Sequence, residues 1–177
     1  MTDEAILQLT RQPATQEEGF RQLVWKYQQR LYQIVRRKVS SHEDADDILQ
    51  NTFIKIFRHI KGYEGRSELF TWMYRIASNE VINHQKQISR MKIVSLEDQD
   101  TGMAEGYVNT DDIPGSLEKA VAGLPERQQM VFRMRYFDEL SYKQIAELLQ
   151  LTEGALKASF HHAVRKIEEE FRAKQIL

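Results

Sequence analysis

The stretch from Asp44 to Phe57, DADDILQNTFIKIF, is the part of the chain that decides its fold. Apolar residues recur in it every three or four positions, which predicts an α-helix. The stripe expected to face the core consists of Ala45, Leu49, Phe53, Ile56 and Ile60. On the opposite side, polar residues surround Ile54, which is either an ordinary exposed side chain or the apolar centre of a partner-docking face. That candidate face consists of Asp47, Gln50, Asn51, Ile54 and Arg58.

The residues before this stretch predict two further helices. A short helix covers residues 4–11. A longer helix begins near Gln16, because Thr15-x-x-Glu18 has the pattern of a capping box, and it runs to about Val39. Both helices are expected to pack in the same domain as the central one.

The central helix is expected to begin at Ser41, because the pattern Ser41-x-x-Asp44 is typical of a helix cap. Four of the residues 43–47 are acidic, and carboxylates in a first turn complement the helix dipole. This favours a structural role for the acidic cluster over a metal site, for which no closed ligand set lies nearby.

A glycine-containing loop and a basic helix follow the central helix. The pattern Gly62-Tyr-Glu-Gly65 ends the central helix, and Ser67 starts another that runs to about Ile88. Phe70 is expected in the core. One stripe of the new helix consists of Arg75, Asn79, Asn83, Lys86 and Arg90. Such a stripe is usually a solvated face, but its two amides and the aromatic rings beside it also suit unstacked bases and phosphates.

Helical periodicity is lost from Val94 to about Gly115, where glycine, proline and acidic residues indicate a flexible acidic linker. No strand pattern occurs in the sequence. The predicted fold is therefore all-α, with a helical domain at residues 1–92, a linker at 93–115 and a second helical domain at 116–177.

The second domain has the pattern of a helix-turn-helix. Ser141-x-x-Gln144 predicts a capping box before a short helix, and Leu151–Gly154 predicts the turn before the last helix. The last helix is expected to bury Leu156, Phe160, Ala163, Val164 and Ile167. Small and basic residues on its other side suit entry into a DNA major groove. These residues are Gly154, Ala155, Lys157, Ala158, Ser159, His161, His162, Arg165 and Lys166.

The composition excludes several classes of protein. Without cysteine the chain has neither a disulfide framework nor a Cys-based zinc site. His161 and His162 are adjacent and point about 100° apart on a helix, so they are not expected to share an ion. No apolar run approaches the ~20 residues of a membrane span. No nucleophile–base pair, glycine-rich phosphate loop or metal motif appears, so neither catalysis nor a cofactor is expected.

The net charge of −1 conceals two basic blocks separated by an acidic segment. Residues 19–92 contain 14 basic and seven acidic residues, and residues 119–177 contain ten basic and eight acidic residues. Residues 93–118 contain seven acidic residues and no basic ones. Because salt screens charges beyond about 8–10 Å, each basic block can attract phosphate locally.

Four segments, in order along the chain, resemble those of one family. They are Asp44–Phe57, the loop Tyr63-Glu-Gly-Arg-Ser67, the segment FTWMYRIASN at residues 70–79 and the C-terminal helix-turn-helix. Together they resemble the extracytoplasmic-function (ECF) sigma factors of bacterial RNA polymerase. The resemblance covers roughly Gly19–Lys92 and Leu117–Glu170.

The resemblance implies a role for each segment. Asp44–Phe57 would dock on the clamp helices of the polymerase largest subunit through the face around Ile54. The last helix would read the promoter −35 element. The loop and the basic stripe would capture a flipped base of the melted −10 element. That last set consists of Tyr63, Glu64, Gly65, Arg66, Ser67, Arg75, Asn79, Asn83, Lys86 and Arg90.

The expected partners are core RNA polymerase and promoter DNA, duplex at −35 and melted at −10, in the bacterial cytoplasm. An anti-sigma factor is a further candidate partner, whereas a small-molecule substrate and membrane insertion are not expected. The alternative is a helix-turn-helix regulator that binds duplex DNA without docking on polymerase. It explains the second domain equally well, but it leaves the basic, aromatic first domain and Ile54 unexplained.

Overall fold

The computed structural model describes residues 1–95 and 113–174, and every regular element within these ranges is helical. The chain divides into two compact units, Met1–Asp100 and Thr101–Leu177. The predicted all-α class is confirmed. Most of the predicted linker, residues 96–112, lies outside the described residues. Val94 and Ser95 continue one helix and Ile113–Gly115 begin the next, so these terminal residues of the predicted linker are helical.

The described residues of the first unit form four α-helices. They are α1 (Asp3–Arg11), α2 (Gln16–Arg36), α3 (His42–His59) and α4 (Leu69–Ser95), with a 3₁₀ turn at Ile60–Gly62 after α3. Helices α2, α3 and α4 pack against one another, and α1 packs against α2. Fully buried side chains of the three long helices, such as Leu31, Ile56 and Met73, form the core.

Ser41 begins α3 as the sequence predicts, because its hydroxyl accepts a hydrogen bond from the Asp44 amide at 3.0 Å. The predicted core stripe of α3 needs one correction. Leu49 is only half-buried, whereas Ile48 and Thr52 are buried. The buried face of α3 is wider than a single stripe because α3 packs against both α2 and α4.

The predicted capping box at Thr15 is absent. Thr15 precedes α2, but its side chain makes no cap and instead donates to the Leu9 carbonyl at 2.9 Å. The Glu18 carboxylate accepts from Arg21 and Gln22 on the same helix. A contact with α1 therefore replaces the local cap.

The second unit contains α5 (Ile113–Ala122), α6 (Glu126–Phe132), a π-helical segment (Arg133–Phe137), α7 (Tyr142–Leu149) and α8 (Glu153–Ala173). The helix predicted from Glu126 to Phe137 thus widens into π geometry over its last five residues. One buried cluster of the unit's core consists of Ala120, Val121, Leu124, Phe132, Ala163, Ile167 and Phe171. Two predicted core residues, Phe160 and Val164, are partly buried against it.

The helix-turn-helix is formed by α7 and α8. Ser141 makes the predicted capping box with Gln144, since each side chain bonds the backbone of the other residue. Gln150 ends α7 in the left-handed conformation, at φ 56°, and Thr152 caps α8 by accepting from the Ala155 amide. Both ends of the turn are therefore fixed by local backbone chemistry.

Candidate nucleic-acid and partner interfaces

An apolar groove of about 700 Å³ runs between α2 and α3. It is lined by Phe20, Val24, Gln50, Phe53, Ile54, Phe57 and Arg58. The Phe20 ring contacts those of Phe53 and Phe57 edge-on, with centroids 6.3 and 4.9 Å apart. Ile54 is 41% exposed and Phe57 is 38% exposed, so two large apolar side chains of the groove face solvent. Contiguous exposed apolar surface of this kind is typical of a protein interface.

The predicted docking face divides between this groove and a second cleft. All five of its residues are exposed on α3, but only Gln50, Ile54 and Arg58 line the groove. The predicted docking face does not include the aromatic wall of the groove, because the contact of Phe20 with Phe53 and Phe57 depends on how α2 packs against α3. Phe20 and Val24 on α2 are four residues apart, and so are Phe53 and Phe57 on α3. This spacing places each pair on one side of its helix and is the sequence signal for the aromatic wall.

The second cleft, of about 430 Å³, lies between α3 and α4. Its lining includes Asp47 and Asn51 from the predicted docking face and Asn83 from the basic stripe of α4. Asp44 and Glu80 also line it, so its charge is more negative than that of the stripe as a whole. The structure therefore brings Asn83, which is predicted to contact the −10 element, close to Asp47 and Asn51, which are predicted to dock on RNA polymerase.

One wall of this second cleft is fixed by Asp44. Its carboxylate lies 3.1 Å from His84 Nε2, and a hydrogen bond with Ser41 is the largest cause that lowers the pKa of Asp44. The nearby His84 lowers that pKa further. Across the same pair of helices, Lys55 forms an ion pair with Glu80. Asn83 is thus positioned beside a fixed set of carboxylates.

The loop between α3 and α4 surrounds a cleft of about 290 Å³. Its lining consists of Gly62, Tyr63, Glu64, Arg66, Ser67, Trp72 and Arg75. Gly65 has φ +75°, a left-handed conformation that glycine adopts without strain, and this allows the tight loop. Of the predicted −10 residues, four loop residues and Arg75 are therefore brought together.

Aromatic packing shapes this loop. Tyr63 is only 8% exposed, its hydroxyl donates to the Ser67 carbonyl and its ring centroid lies 5.3 Å from that of Trp72. The exposed Arg66 and Glu64 form an ion pair at 2.6 Å. Trp72 is half-buried and lines the cleft. An indole at this position can stack on an unpaired base.

The remaining stripe residues continue along α4 beyond the loop. Asn79, Asn83, Lys86 and Arg90 are all exposed. Residues 75 to 90 span about 22 Å of helix axis at the usual rise of 1.5 Å per residue. The stripe is therefore an extended surface that leads from the loop cleft, with Asn83 at its border with the acidic cleft. Phe70, by contrast, is buried as predicted.

The outer face of α8 presents nearly all of its predicted DNA-binding residues. Gly154, Ala155, Lys157, Ala158, His161, His162, Arg165 and Lys166 are exposed, and Ser159 is half-buried. Arg165 Nε lies 3.3 Å from a Glu169 oxygen one turn further on. Since both side chains are well exposed, this pair is weak and can exchange for a phosphate or base contact.

Within residues 1–95 and 113–174, no cluster of three or more His, Cys, Asp or Glu residues is arranged to hold a metal ion. Over the same part of the chain, no helix combines the length and apolar character that crossing a bilayer requires.

Two family models match the chain, one in each unit. Sigma-70 region 2 matches residues 23–91, and Sigma-70, region 4 matches residues 115–167. The chain belongs to the sigma-70 family. The region 2 match contains the loop cleft and all of the groove residues except Phe20, and the region 4 match contains most of the helix-turn-helix.

Relatives of this sigma factor are found in several bacteria. It is 29% identical over 166 residues to the RNA polymerase sigma-H factor of Pseudomonas aeruginosa, which covers 86% of each chain. It is 29% identical over 185 residues to the ECF RNA polymerase sigma-E factor of Haemophilus influenzae, which covers 97% of this chain and 96% of the relative. The ECF group predicted from the sequence is confirmed.

A solved structure has the same fold. It is the sigma factor RpoE of Bartonella quintana in complex with the anti-sigma factor NepR, with a TM-score of 0.61 and 21% identity. The match covers 86% of this chain and 96% of the other. The chain is thus a sigma factor, which binds core RNA polymerase and promoter DNA and directs transcription initiation.

Proposed function

We propose that this sigma factor divides its work among three surfaces. The groove between α2 and α3 docks on core RNA polymerase, the loop cleft before α4 takes a flipped base of the melted −10 element, and the outer face of α8 reads the −35 element. The alternative, a regulator that binds duplex DNA without polymerase, needs only the last of these.

The apolar groove between α2 and α3 is the main support for this proposal. Its aromatic wall and the exposed Ile54 and Phe57 offer a partner a desolvated centre, while Gln50 and Arg58 provide a polar rim. This combination is the usual anatomy of a protein interface. It lies on the unit whose residues 19–92 have a net charge of +7, so one unit can hold both polymerase and DNA.

The loop cleft suits a single unpaired base. Trp72, which packs on the buried Tyr63 ring, supplies aromatic surface for stacking, and the exposed Arg75 guanidinium at its edge can bind the phosphate backbone. Asn79 lies one helical turn beyond Arg75 on open surface, whereas Asn83 faces the acidic cleft. Asn79 is therefore the better placed of the two amides for strand contact.

The face of α8 suits duplex DNA. Gly154, Ala155 and Ala158 allow close approach of the helix to base edges. Lys157, Arg165 and Lys166 add positive charge on either side. The acidic run Glu168–Glu170 follows directly, so the contact with phosphate is expected to end near Lys166.

An anti-sigma factor is a further proposed partner, because the solved relative from Bartonella quintana is bound to one. We place the activity of the chain in the cytoplasm, since its partners are RNA polymerase and chromosomal DNA. No catalytic role is proposed, in agreement with a family whose members direct the polymerase rather than catalyse a reaction.

Co-purification with core RNA polymerase in the absence of DNA tests the proposal against the regulator alternative. A sigma factor is expected to be retained stoichiometrically, and a regulator is not. A promoter selected by the holoenzyme from genomic DNA then allows permanganate footprinting of melted thymines. Failure to bind core polymerase would favour the regulator.

The same promoter tests whether the side-chain amides of Asn79 and Asn83 contact the melted −10 strand. Asn79→Ala combined with Asn83→Ala should leave core binding intact and reduce thymine reactivity, and the single variants should show that Asn79 accounts for most of the loss. Gln28→Ala combined with Gln29→Ala, two exposed amides on α2, is the matched control. Equal melting by the Asn double variant and the parent would remove these amides from the −10 contact.

A further inference from the structure

Helix α1 precedes the part of the chain that matches the family and has no role in the three surfaces proposed above. It packs closely against α2 at Gly19. A Cβ atom at that position would lie 2.7 Å from both Leu9 Cβ and the Thr10 backbone nitrogen. Because real Cβ atoms do not approach a backbone that closely, only glycine permits this contact.

Both ends of α1 are fastened to α2. At the N-terminal end, an Asp3 oxygen accepts hydrogen bonds from Lys26 Nζ and from the Tyr27 hydroxyl, each at 2.6 Å. At the C-terminal end, the Thr15 hydroxyl donates to the Leu9 carbonyl at 2.9 Å. Helix α1 is therefore held in one position along α2.

This position brings Arg11, the last residue of α1, to the loop cleft. Its guanidinium donates to the Tyr63 carbonyl at 3.3 Å. Tyr63 is the residue whose ring packs on Trp72 and whose hydroxyl bonds the Ser67 carbonyl across the loop. Arg11 is not among the residues that line the cleft, so it holds the loop without meeting the ligand.

We infer that α1 is a brace for the loop at residues 63–67, and that Arg11 is a positioning residue that keeps this loop in the shape that accepts a base. The link to base capture rests on the proposed function of the loop, whereas the mechanical link between Arg11 and the loop does not. The two parts are therefore tested by separate measurements.

The first measurement concerns the loop in the full chain, without DNA. Arg11→Ala should increase hydrogen–deuterium exchange of the amides at residues 62–67 and leave exchange in α8 unchanged. Arg11→Lys keeps a donor and should restore most of the protection. Arg21→Ala is the matched control, because it removes an exposed arginine of the same unit whose guanidinium pairs with Glu18 on its own helix.

Tryptophan emission gives a second view of the loop. The chain has two tryptophans, and Trp25 is 76% exposed on α2 whereas Trp72 packs on Tyr63. In a Trp25→Phe background the emission reports on Trp72, and Arg11→Ala should shift it towards that of a more exposed indole. Gly19→Ala keeps Arg11 but displaces α1, and it should produce the same shift.

The last measurement uses the holoenzyme and a pool of random single-stranded DNA, with sequencing of the bound fraction. Arg11→Ala should weaken the base preference at one position by about three- to tenfold, the loss expected for one hydrogen bond, with core affinity unchanged. Unchanged exchange and emission in both Arg11→Ala and Gly19→Ala would overturn the brace. A loosened loop with an intact base preference would overturn the positioning role. A parent holoenzyme without any base preference would instead contradict the proposed function of the loop.

Discussion

Asp44 connects the start of α3 with the middle of α4. Its amide is the donor to the Ser41 cap, and its carboxylate contacts His84 on α4. The sequence indicates the first of these roles, because the cap is local. The second depends on how α3 and α4 pack, so spacing along the chain does not reveal it.

Asp44→Asn should change the acid sensitivity of the first unit. The folded-state pKa of Asp44 lies below its ordinary value of 3.8, so its stabilising contribution is fully present above that pH and is lost as the pH falls through the lower folded value. The variant should therefore have a lower Tm than the parent at neutral pH, and this difference should disappear as the pH falls through the lowered pKa of Asp44. Tryptophan fluorescence can follow this, since Trp25 and Trp72 both lie in the first unit.

Asp46→Asn is the control for this experiment, because Asp46 is exposed in the same part of α3. It should leave the shape of the acid profile unchanged. A Tm difference between Asp44→Asn and the parent that stays constant from neutral to strongly acidic pH would contradict the assignment.

Ile54→Glu should weaken binding to core polymerase by about tenfold or more, because it places a charge at the apolar centre of the groove. Folding should be little affected, since Ile54 is 41% exposed. Ile82→Glu is the matched control, because Ile82 is 45% exposed on α4 and does not line the groove. A titration in which Ile54→Glu binds core polymerase as tightly as Ile82→Glu would remove Ile54 from the interface.

At the scale of the helices, sequence patterns correctly predict the helix starts that are fixed by hydrogen bonds between residues close in the sequence. The caps at Ser41 and Ser141 form as their sequences indicate. Thr15 has a similar pattern, but its hydroxyl donates a hydrogen bond to the nearby Leu9 carbonyl and does not cap α2. This competition arises from the packing of α1 on α2 at Gly19, which no capping pattern encodes.

The candidate sites were predictable to the extent that each lies on one helix. The exposed face of α8 was predicted from helical spacing, and so was the row Gln50, Ile54 and Arg58 on α3. The other wall of the groove comes from α2, and the anchor of the loop comes from α1. Both depend on tertiary contacts between distant parts of the sequence, which the periodicity of one helix does not contain.

Arg165→Ala should weaken binding at the −35 side. A bidentate contact to a base would make the loss about 1–3 kcal/mol and specific to one position. A phosphate contact would weaken all sequences alike and reduce the salt slope by about one unit. Binding of holoenzyme to duplex −35 DNA at several salt concentrations distinguishes the two.

The control for Arg165 is Arg172→Ala, which removes an exposed arginine from the last turn of the same helix, beyond the acidic run Glu168–Glu170. It should bind as the parent does. If Arg165→Ala and Arg172→Ala have equal affinities and equal salt slopes, Arg165 makes neither contact.

For the whole molecule, each unit has its own buried core. Leu31 and Ile56 are fully buried in the first unit, and Leu156 is fully buried in the second. Both tryptophans of the chain, Trp25 and Trp72, lie in the first unit. Helices occur in both units. Tryptophan fluorescence therefore reports on the first unit, while circular dichroism at 222 nm reports on both.

Leu156→Ala should destabilise the second unit by about 2–5 kcal/mol, the usual cost of removing a buried leucine side chain. We expect the thermal transition followed by circular dichroism to divide into two steps, with the earlier step absent from tryptophan fluorescence. Leu31→Ala is the reciprocal variant and should lower the fluorescence midpoint. If Leu156→Ala shifts the fluorescence midpoint as far as the circular dichroism midpoint, the two units unfold as one, and polymerase docking and −35 recognition do not reside in independently stable parts of the chain.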